Sequence, residues 1–286
     1  MTGTTTTHPR PRSRILTVLP NEEYARVADH LEAVSLEVRD LMHDIDQPIT
    51  HVYFLNSAVV SIISVMADGN AVETATIGYE GMVGLAVFHH TDRTVAQAFC
   101  QIAGDAMRMP TEAFRSVIRH APALTSLLHR YTQAMFTQVA QASACNRLHP
   151  IRQRCARWLL QTHDRAGRDD FVLTHEFLAQ MLGVRRASVS EVASAFQQAG
   201  LIEYADGRIT VASRAGLEQA TCECYGIITR EYDRLIEGRT GASPLDGLVT
   251  SAGKKSTVGA PEPRTELDEG SPSPATTRRR PGRRDR

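Results

Sequence analysis

Apolar side chains change their spacing several times along the chain, and each change predicts a different element. Between Ile15 and Leu41 they recur at helix-like intervals, which predicts a helix that starts after Pro20. Residues 45–110 instead carry short runs rich in Val, Ile, Phe and Tyr, separated by glycine-containing turns. Asp68-Gly69 predicts a hairpin turn, because glycine tolerates positive φ. The region reads as an antiparallel β-roll.

A longer helical segment begins at Pro122. Six of its side chains recur at alternating intervals of four and three residues, namely Leu124, Leu128, Tyr131, Met135, Gln138 and Ala142. This heptad-like seam is typical of a helix that pairs with another helix. We therefore predict a dimerisation helix over residues 121–147 with these six residues at the interface. Packing of the same face against the chain's own domain is the alternative.

Two short helices around a glycine follow the strand-rich and helical parts. Thr174 is a good N-cap for the first helix, and Gly183 ends it where a positive φ turns the chain. A helix-turn-helix needs a small residue in its first helix, a glycine in the turn and an apolar side chain in its second helix that packs into the core. Ala179, Gly183 and Val189 meet these needs in this order, at offsets of four and six residues. A hairpin at Asp206-Gly207 comes next. We predict a winged helix-turn-helix.

The second helix, from about Arg186 to Ala199, fits the major groove of B-DNA. Arg186 is the best candidate for a bidentate contact with guanine, and Arg185 is expected to neutralise phosphate. Arg208, in the hairpin turn, is a candidate wing contact to the DNA backbone. The complete predicted DNA-binding set is Thr174, Arg185, Arg186, Ser188, Ser190, Glu191 and Arg208.

Composition limits the other function classes. The chain has 286 residues, 42% of them apolar and 22% charged, with a formal net charge of zero. It lacks a run of about 20 apolar residues that could span a bilayer, so no membrane partner is expected. The five cysteines are scattered and odd in number, which fits a reducing compartment. We expect a cytoplasmic protein.

No arrangement of side chains indicates catalysis, and we predict that the protein is not an enzyme. Cys222-x-Cys224 is a possible metal or redox pair, but no second pair of ligands is expected nearby, and a structural role is favoured. His89-His90 is a possible haem ligand pair, with a plain loop favoured. No metal and no cofactor are expected.

Several stretches resemble the cyclic-AMP receptor protein/Fnr (Crp/Fnr) family of bacterial regulators. They cover residues 48–54, 78–84, 109–114 and 182–189, within a likeness that extends over about residues 15–235. The resemblance implies an α+β fold with a cyclic-nucleotide-binding-like roll, a long dimer helix and the winged helix-turn-helix. It implies a homodimer on a palindromic operator in double-stranded DNA, with RNA polymerase as a further partner.

The sensor region departs from the family pattern. Gly84 is followed by Leu85 where cyclic-AMP binders have Glu, and Thr94-Val95 stands in place of their Arg-Ser pair. A cyclic phosphate would lose its main charge partner, so cyclic-nucleotide binding is not expected. A cysteine cluster near the N-terminus, typical of the iron–sulfur members, is also missing. We place a possible pocket for an unidentified effector at Tyr79, Glu80, Gly81 and Gly84.

The predicted organisation has five parts. They are a disordered start at 1–12, the roll at 13–120, the dimerisation helix at 121–147, the winged helix-turn-helix at 148–238 and a disordered Arg-rich tail at 239–286. The favoured function is an operator-binding transcription regulator controlled by a signal. The alternative is a ligand-binding sensor that acts mainly through a protein partner.

Overall fold

The computed structural model describes residues 10–238. The first nine residues and the Arg-rich tail at 239–286 lie outside the described residues, so their predicted disorder stays a prediction. Residues 10–12 are within the fold, because the Arg10 guanidinium donates to the carbonyl of Leu16 at 3.0 Å and to that of Leu19 at 2.8 Å.

The predicted helix between Ile15 and Leu41 is only partly correct. The segment forms α1 (Arg14–Thr17), α2 (Asn21–Ala28), β1 (Glu32–Leu36) and β2 (Leu41–His43). The second half is extended because β1 pairs with a strand at residues 104–110 and β2 with one at 97–102. Backbone pairing with distant strands overrides the local apolar spacing.

The strand-rich region is an antiparallel roll, as predicted. Its remaining elements are β3 (His51–Leu55), β4 (Val59–Val65), β5 (Ala71–Ile77), β6 (Met82–Val83), α3 (Leu85–Phe88), β7 (Gln97–Ile102) and β8 (Gly104–Pro110). They make two four-stranded sheets with strand orders β1-β8-β3-β6 and β2-β7-β4-β5. The hairpin at Asp68-Gly69 is confirmed: it joins β4 to β5, and Gly69 has φ +84°.

Two helices follow the roll, α4 (Thr111–Ile118) and the 27-residue α5 (Pro122–Leu148). The proline at the first position of α5 is suited to a helix start, because its fixed φ is helical and its missing N–H is not needed there. No helix among residues 10–238 is long and apolar enough to cross a membrane.

The chain then forms a small α/β domain and a final helix. Its elements are α6 (Ile151–Ala166), β9 (Asp170–Val172), α7 (His175–Leu182), α8 (Arg186–Gln198), β10 (Ile202–Ala205), β11 (Arg208–Val211), α9 (Arg214–Ala220) and α10 (Cys224–Glu237). The three strands form one sheet in the order β10-β11-β9. The predicted winged helix-turn-helix architecture is confirmed.

The predicted interface seam of α5 is corrected by the structure. Leu124, Leu128 and Tyr131 are completely buried within the chain, in a core that they share with Tyr232 and other side chains of α10. The rest of the seam also faces inward: Gln138 and Ala142 are buried, and Met135 is partly buried. The heptad spacing reflects packing against the roll and α10, so five of these six side chains are buried within the chain and Met135 is partly exposed.

Polar contacts fasten the roll to α5 and α6. Arg165 of α6 donates through Nε to Glu80 at 2.6 Å, and both side chains are 6% exposed. Arg165 also donates to Gln138 of α5 at 2.9 Å, and Gln138 donates to the Thr76 carbonyl at 2.9 Å. A buried ion pair is stable only when its remaining polar atoms find partners, and this network supplies them.

Candidate nucleic-acid interface

The turn between α7 and α8 has the geometry that its sequence predicts. The Thr174 hydroxyl accepts a hydrogen bond from the Phe177 N–H at 3.1 Å and so caps α7. Gly183 ends that helix with φ +62°, a conformation that side chains with a Cβ rarely adopt. Ala179 is buried where the helices approach each other. Both helices are therefore held at a defined angle.

The helix α8 is buried along one side and open along the other. Val189, Val192, Ala193 and Phe196 belong to the core of the C-terminal domain. The opposite face is exposed, and the predicted residues Arg185, Arg186 and Glu191 lie on it, with Ser188 partly exposed at its edge. A helix that presents its N-terminal residues outward in this way is suited to the major groove.

Ser190 does not point outward as predicted. It is partly buried, its hydroxyl donates to the Arg186 carbonyl at 3.1 Å, and it lies 3.0 Å from Nδ1 of His175 in α7. The His175 ring in turn stacks on Tyr204 of the wing, with centroids 4.2 Å apart. Burial lowers the pKa of His175. Ser190 therefore helps to fix α8 against α7 and the wing.

The N-terminal end of α8 is electropositive. It begins without a side-chain cap on its first N–H groups, and those groups carry the positive end of the helix dipole. Arg185 and Arg186 add two guanidinium groups at the same place, and Arg186 is 70% exposed with only a 3.9 Å approach to Glu176. The positive end of the helix dipole and the two arginines together favour a phosphate or a base edge as partner.

The wing carries a further arginine at the protein surface. Arg208, at the start of β11, is about half exposed and pairs with Asp170 of β9. This ion pair lies at the surface, where such pairs contribute little stability, so the guanidinium can exchange its partner for a phosphate at small cost.

A cleft of about 680 Å³ lies between the β4–β5 turn of the roll and the turn of the helix-turn-helix. Residues such as Asn70 and Val72 line one side, and Gly183, Arg185 and Arg186 line the other. The two sides come close at Gly183, where a Cβ would lie 3.2 Å from Val72. The arginine-bearing end of α8 thus faces solvent next to the roll.

The predicted effector residues do not form one pocket. Tyr79 and Glu80 line a cavity of about 280 Å³ between the roll, α6 and α10, where Glu80 is bound to Arg165. Gly84 lines a separate, mainly apolar cavity of about 180 Å³ inside the roll. Gly81 packs against Tyr131 with no room for a Cβ. Tyr79, Glu80 and Gly81 lie in the turn between β5 and β6, whereas Gly84 lies beyond β6, so residues close in sequence line different cavities.

The roll cavity is a better candidate for a ligand. Its lining combines apolar side chains from both sheets with Met135 and Val139 of α5. His43 supplies a polar group, and burial lowers the pKa of this histidine. A site with apolar walls and few polar groups is typical of small-molecule pockets.

Sequence reasoning missed a cluster of cysteines at the other end of α5. Cys222 and Cys224 lie next to Cys145 and His149, so the expectation that no second pair of ligands stands nearby is wrong. The spacing Cys145-x3-His149 at a helix end was the available signal. Hydrogen bonding to Cys222 and Cys224 holds the pKa of Cys145 well below its usual range.

Comparison with known proteins supports the interpretation of both halves. Residues 153–220 match the Crp-like helix-turn-helix domain family. This match contains α7, α8 and the wing, which were identified as a helix-turn-helix from the sequence. A search of curated proteins found no matching relative.

Solved structures share the fold over most of the chain. A transcriptional regulator of the Crp/Fnr family from Eubacterium rectale is 17% identical, with a TM-score of 0.57 over 72% of this chain and 96% of its own. FixK2 from Bradyrhizobium japonicum is 16% identical, with a TM-score of 0.57 over 67% and 98%. A Crp-family regulator from Thermus thermophilus is 20% identical, with a TM-score of 0.54 over 66% and 95%. The resemblance predicted from the sequence is confirmed.

Proposed function

We propose that this Crp/Fnr-type chain is a sequence-specific, DNA-binding transcription regulator that binds a palindromic operator as a homodimer. The observation that carries the proposal is the outward face of α8. It presents Arg185 and Arg186 at an uncapped helix start, and the wing of the same domain carries the half-exposed Arg208. Each of these groups favours an anionic partner.

The homodimer is proposed on a different face of α5 from the one predicted. Phe136 is 67% exposed and Val139 is 39% exposed, although both lie on the longest helix of the described chain. Large apolar side chains that are this exposed on one helix face favour a protein contact. A dimer packed through Phe136 would supply the two α8 helices that a palindromic operator requires.

The roll cavity is proposed as the signal site. It is lined by Met135 and Val139 of α5, so a ligand there would contact the helix that carries the proposed dimer face. A ligand can shift the equilibrium between two arrangements only through different contacts with each. RNA polymerase is the proposed partner once the dimer is on DNA.

Operator selection from random duplex DNA with the full chain tests this function. We expect recovery of a motif with two inverted half-sites separated by about one helical turn, 10–10.5 base pairs from centre to centre. Random output would contradict the proposal and favour the alternative, a sensor that acts through a protein partner.

Mass measurement in solution tests the dimer. Phe136→Asp is expected to give monomers, because a carboxylate would be buried at the interface. Val95→Asp is the matched control, since Val95 is 86% exposed outside the helices. Dimers of the Phe136 variant as stable as those of the control would contradict the assignment of this face.

A further inference from the structure

Four potential metal ligands converge where the end of α5 meets the start of α10. They are the sulfur atoms of Cys145, Cys222 and Cys224 and a ring nitrogen of His149, and all lie within 4.8 Å of one another. Three cysteine thiolates and one histidine are a common ligand set of structural zinc sites. The DNA-binding face described above uses none of them.

The backbone explains how residues so far apart in sequence come together. Cys145 is in the last turn of α5, and His149 follows the helix in extended conformation because it precedes Pro150. Cys222 lies in the link between α9 and α10, and Cys224 is the first residue of α10. The Cys-x-Cys pair therefore sits on a bend rather than inside a helix, so both sulfurs can face one point.

The distances fit a single ion. Cys145 Sγ and Cys222 Sγ are 3.6 Å apart, and Cys224 Sγ is 3.4 Å from His149 Nδ1. A tetrahedral ion with bonds of about 2.3 Å to sulfur and 2.0–2.1 Å to nitrogen separates these ligand atoms by about 3.6–3.8 Å. The ligand atoms are too close together to enclose an iron–sulfur cluster, whose ligands bind separate iron atoms.

The surroundings are also those of a closed metal site. The three cysteines are at most 5% exposed. His149 turns its Nε2 toward the Glu223 carboxylate at 3.3 Å, which leaves Nδ1 for an ion. The side-chain amide of Gln141 donates to Cys224 Sγ at 3.1 Å. A carboxylate behind the histidine and a donor to a sulfur are the supports that orient metal ligands.

Positive charge near the cluster would offset its ligands. A divalent ion held by three thiolates has one net negative charge, which is unfavourable in a buried place without compensation. Arg154 and Arg157 are both mostly buried, and each interacts electrostatically with Cys145.

We propose that Cys145, His149, Cys222 and Cys224 bind one Zn²⁺ ion, which links the end of α5 to the start of α10. The ion would hold α10 on the buried seam of α5, where Tyr232 and Tyr131 already meet. Thiolate ligands and a closed, four-coordinate geometry select zinc over the oxygen-preferring magnesium and calcium. This inference does not depend on DNA binding.

Metal analysis of the full chain tests the proposal directly. The protein purified under reducing conditions is expected to contain one zinc per chain, and Cys224→Ala is expected to lose it. Cys155→Ala is the matched control, because Cys155 is an equally buried thiol in the core of the C-terminal domain. A wild-type chain that carries no zinc and takes up none when Zn²⁺ is added would overturn the proposal.

Cobalt substitution tests the site in the wild-type chain, so its outcome does not depend on whether the cysteine variants fold. We expect Co²⁺ in the wild-type chain to show the intense visible bands of a tetrahedral site and the thiolate charge-transfer band. His149→Ala, at the partly exposed edge of the cluster, should alter the visible bands and keep the charge transfer. A pale octahedral spectrum in the wild type would contradict the site.

The role of Glu223 has its own readout. Glu223→Gln is expected to weaken zinc binding 10–100-fold while it leaves one zinc per chain at saturation. Glu203→Gln is the control, since Glu203 is exposed on the wing. Equal zinc affinity in both variants would contradict the supporting role of Glu223 behind His149.

Discussion

The helix-turn-helix and the contact of α5 with α10 differ in how far apart their partners lie in the sequence. The first is defined within about 25 residues: the cap at Thr174, the turn at Gly183 and the plug at Val189 all act on near neighbours. The second joins side chains such as Tyr131 and Tyr232, which are a hundred positions apart. The helix-turn-helix can be specified by local signals in the sequence. The contact of α5 depends on which distant element of the chain covers its apolar face.

We expect local motifs and contacts between distant elements to differ in how they tolerate substitution. A local motif should lose stability in small steps, since a lost cap or an altered surface side chain affects one helix end. The junction of the roll, α5 and α6 also joins distant parts of the chain, and it depends on a buried network in which Glu80, Arg165 and Gln138 satisfy one another. Removing one member leaves a buried polar group without its partner.

The largest effect is therefore expected at Arg165. Arg165→Met should lower the free energy of unfolding by about 3–5 kcal/mol, because it leaves the Glu80 carboxylate buried without its cation. Chemical denaturation measures the change. Arg168→Met is the matched control, since Arg168 is exposed just after the same helix.

A double variant identifies the cause of that loss. Glu80→Gln combined with Arg165→Met removes both charges. The double variant should therefore lose less free energy of unfolding than the sum of the losses in the two single variants. Additive losses would show that the ion pair does not couple the roll to α6.

The next effect concerns DNA rather than stability. Arg186→Ala should weaken binding to the selected operator by about 1–3 kcal/mol, roughly 5–150-fold in Kd, and relax the preference at one base position of each half-site. Fluorescence titration with operator and mismatched duplexes measures both. Arg119→Ala, an exposed arginine after α4, is the control. An unchanged base preference would contradict the assigned contact.

The features that the sequence predicted correctly are the local ones, and those that it missed depend on contacts between distant parts of the chain. The hairpin at Asp68-Gly69 and the helix-turn-helix were predictable because their signals are contiguous. The seam of α5 was recognised but assigned to the wrong partner, since a heptad pattern is the same whether a second chain or the chain's own α10 covers it. The segment at residues 32–41 was predicted as helix, and only pairing with β7 and β8 makes it extended.

The candidate sites show the same limit. Arg186 and Glu191 were placed on the exposed face correctly because they lie opposite the buried positions of α8, whereas Ser190, predicted from the same periodicity, is partly buried against His175. Cys145 and Cys222 could not be paired from sequence, because 77 residues separate them and only the fold of α9 and α10 brings them together.

A smaller, local effect is expected at the start of α7. Thr174→Ala should lower the free energy of unfolding by about 1 kcal/mol, since it removes the side-chain acceptor of the Phe177 N–H. Thr174→Ser is the control and should keep most of the stability. If the alanine variant is as stable as the wild type, the cap does not contribute.

The smallest effect concerns Glu73, which joins β5 of the roll to α6. Its two carboxylate oxygens accept hydrogen bonds from Ser61 at 2.7 Å, Thr76 at 2.7 Å and the Trp158 indole at 2.8 Å. Burial nevertheless raises the pKa of this carboxyl above its ordinary value. Compared with the unfolded chain, folding therefore favours the protonated carboxyl of Glu73. The stability that this proton contributes is fully present below the pKa of Glu73 in the unfolded chain, and it is lost as the pH rises through the pKa of Glu73 in the folded chain.

The side chain in Glu73→Gln stays neutral, so this loss of stability should not occur in the variant. The free energy of unfolding of the variant should therefore rise relative to that of the wild type as the pH increases above about 4.3, the ordinary pKa of a glutamate. The gain at neutral pH should stay below about 1 kcal/mol, because a neutral amide oxygen accepts weaker hydrogen bonds than a carboxylate. Thermal unfolding across this pH range measures it, with a midpoint shift of at most roughly 2–4 °C expected. Glu203→Gln, on the exposed wing, is the control. If the difference in unfolding midpoint between the Glu73 variant and the wild type does not change with pH, then ionisation of Glu73 does not affect stability.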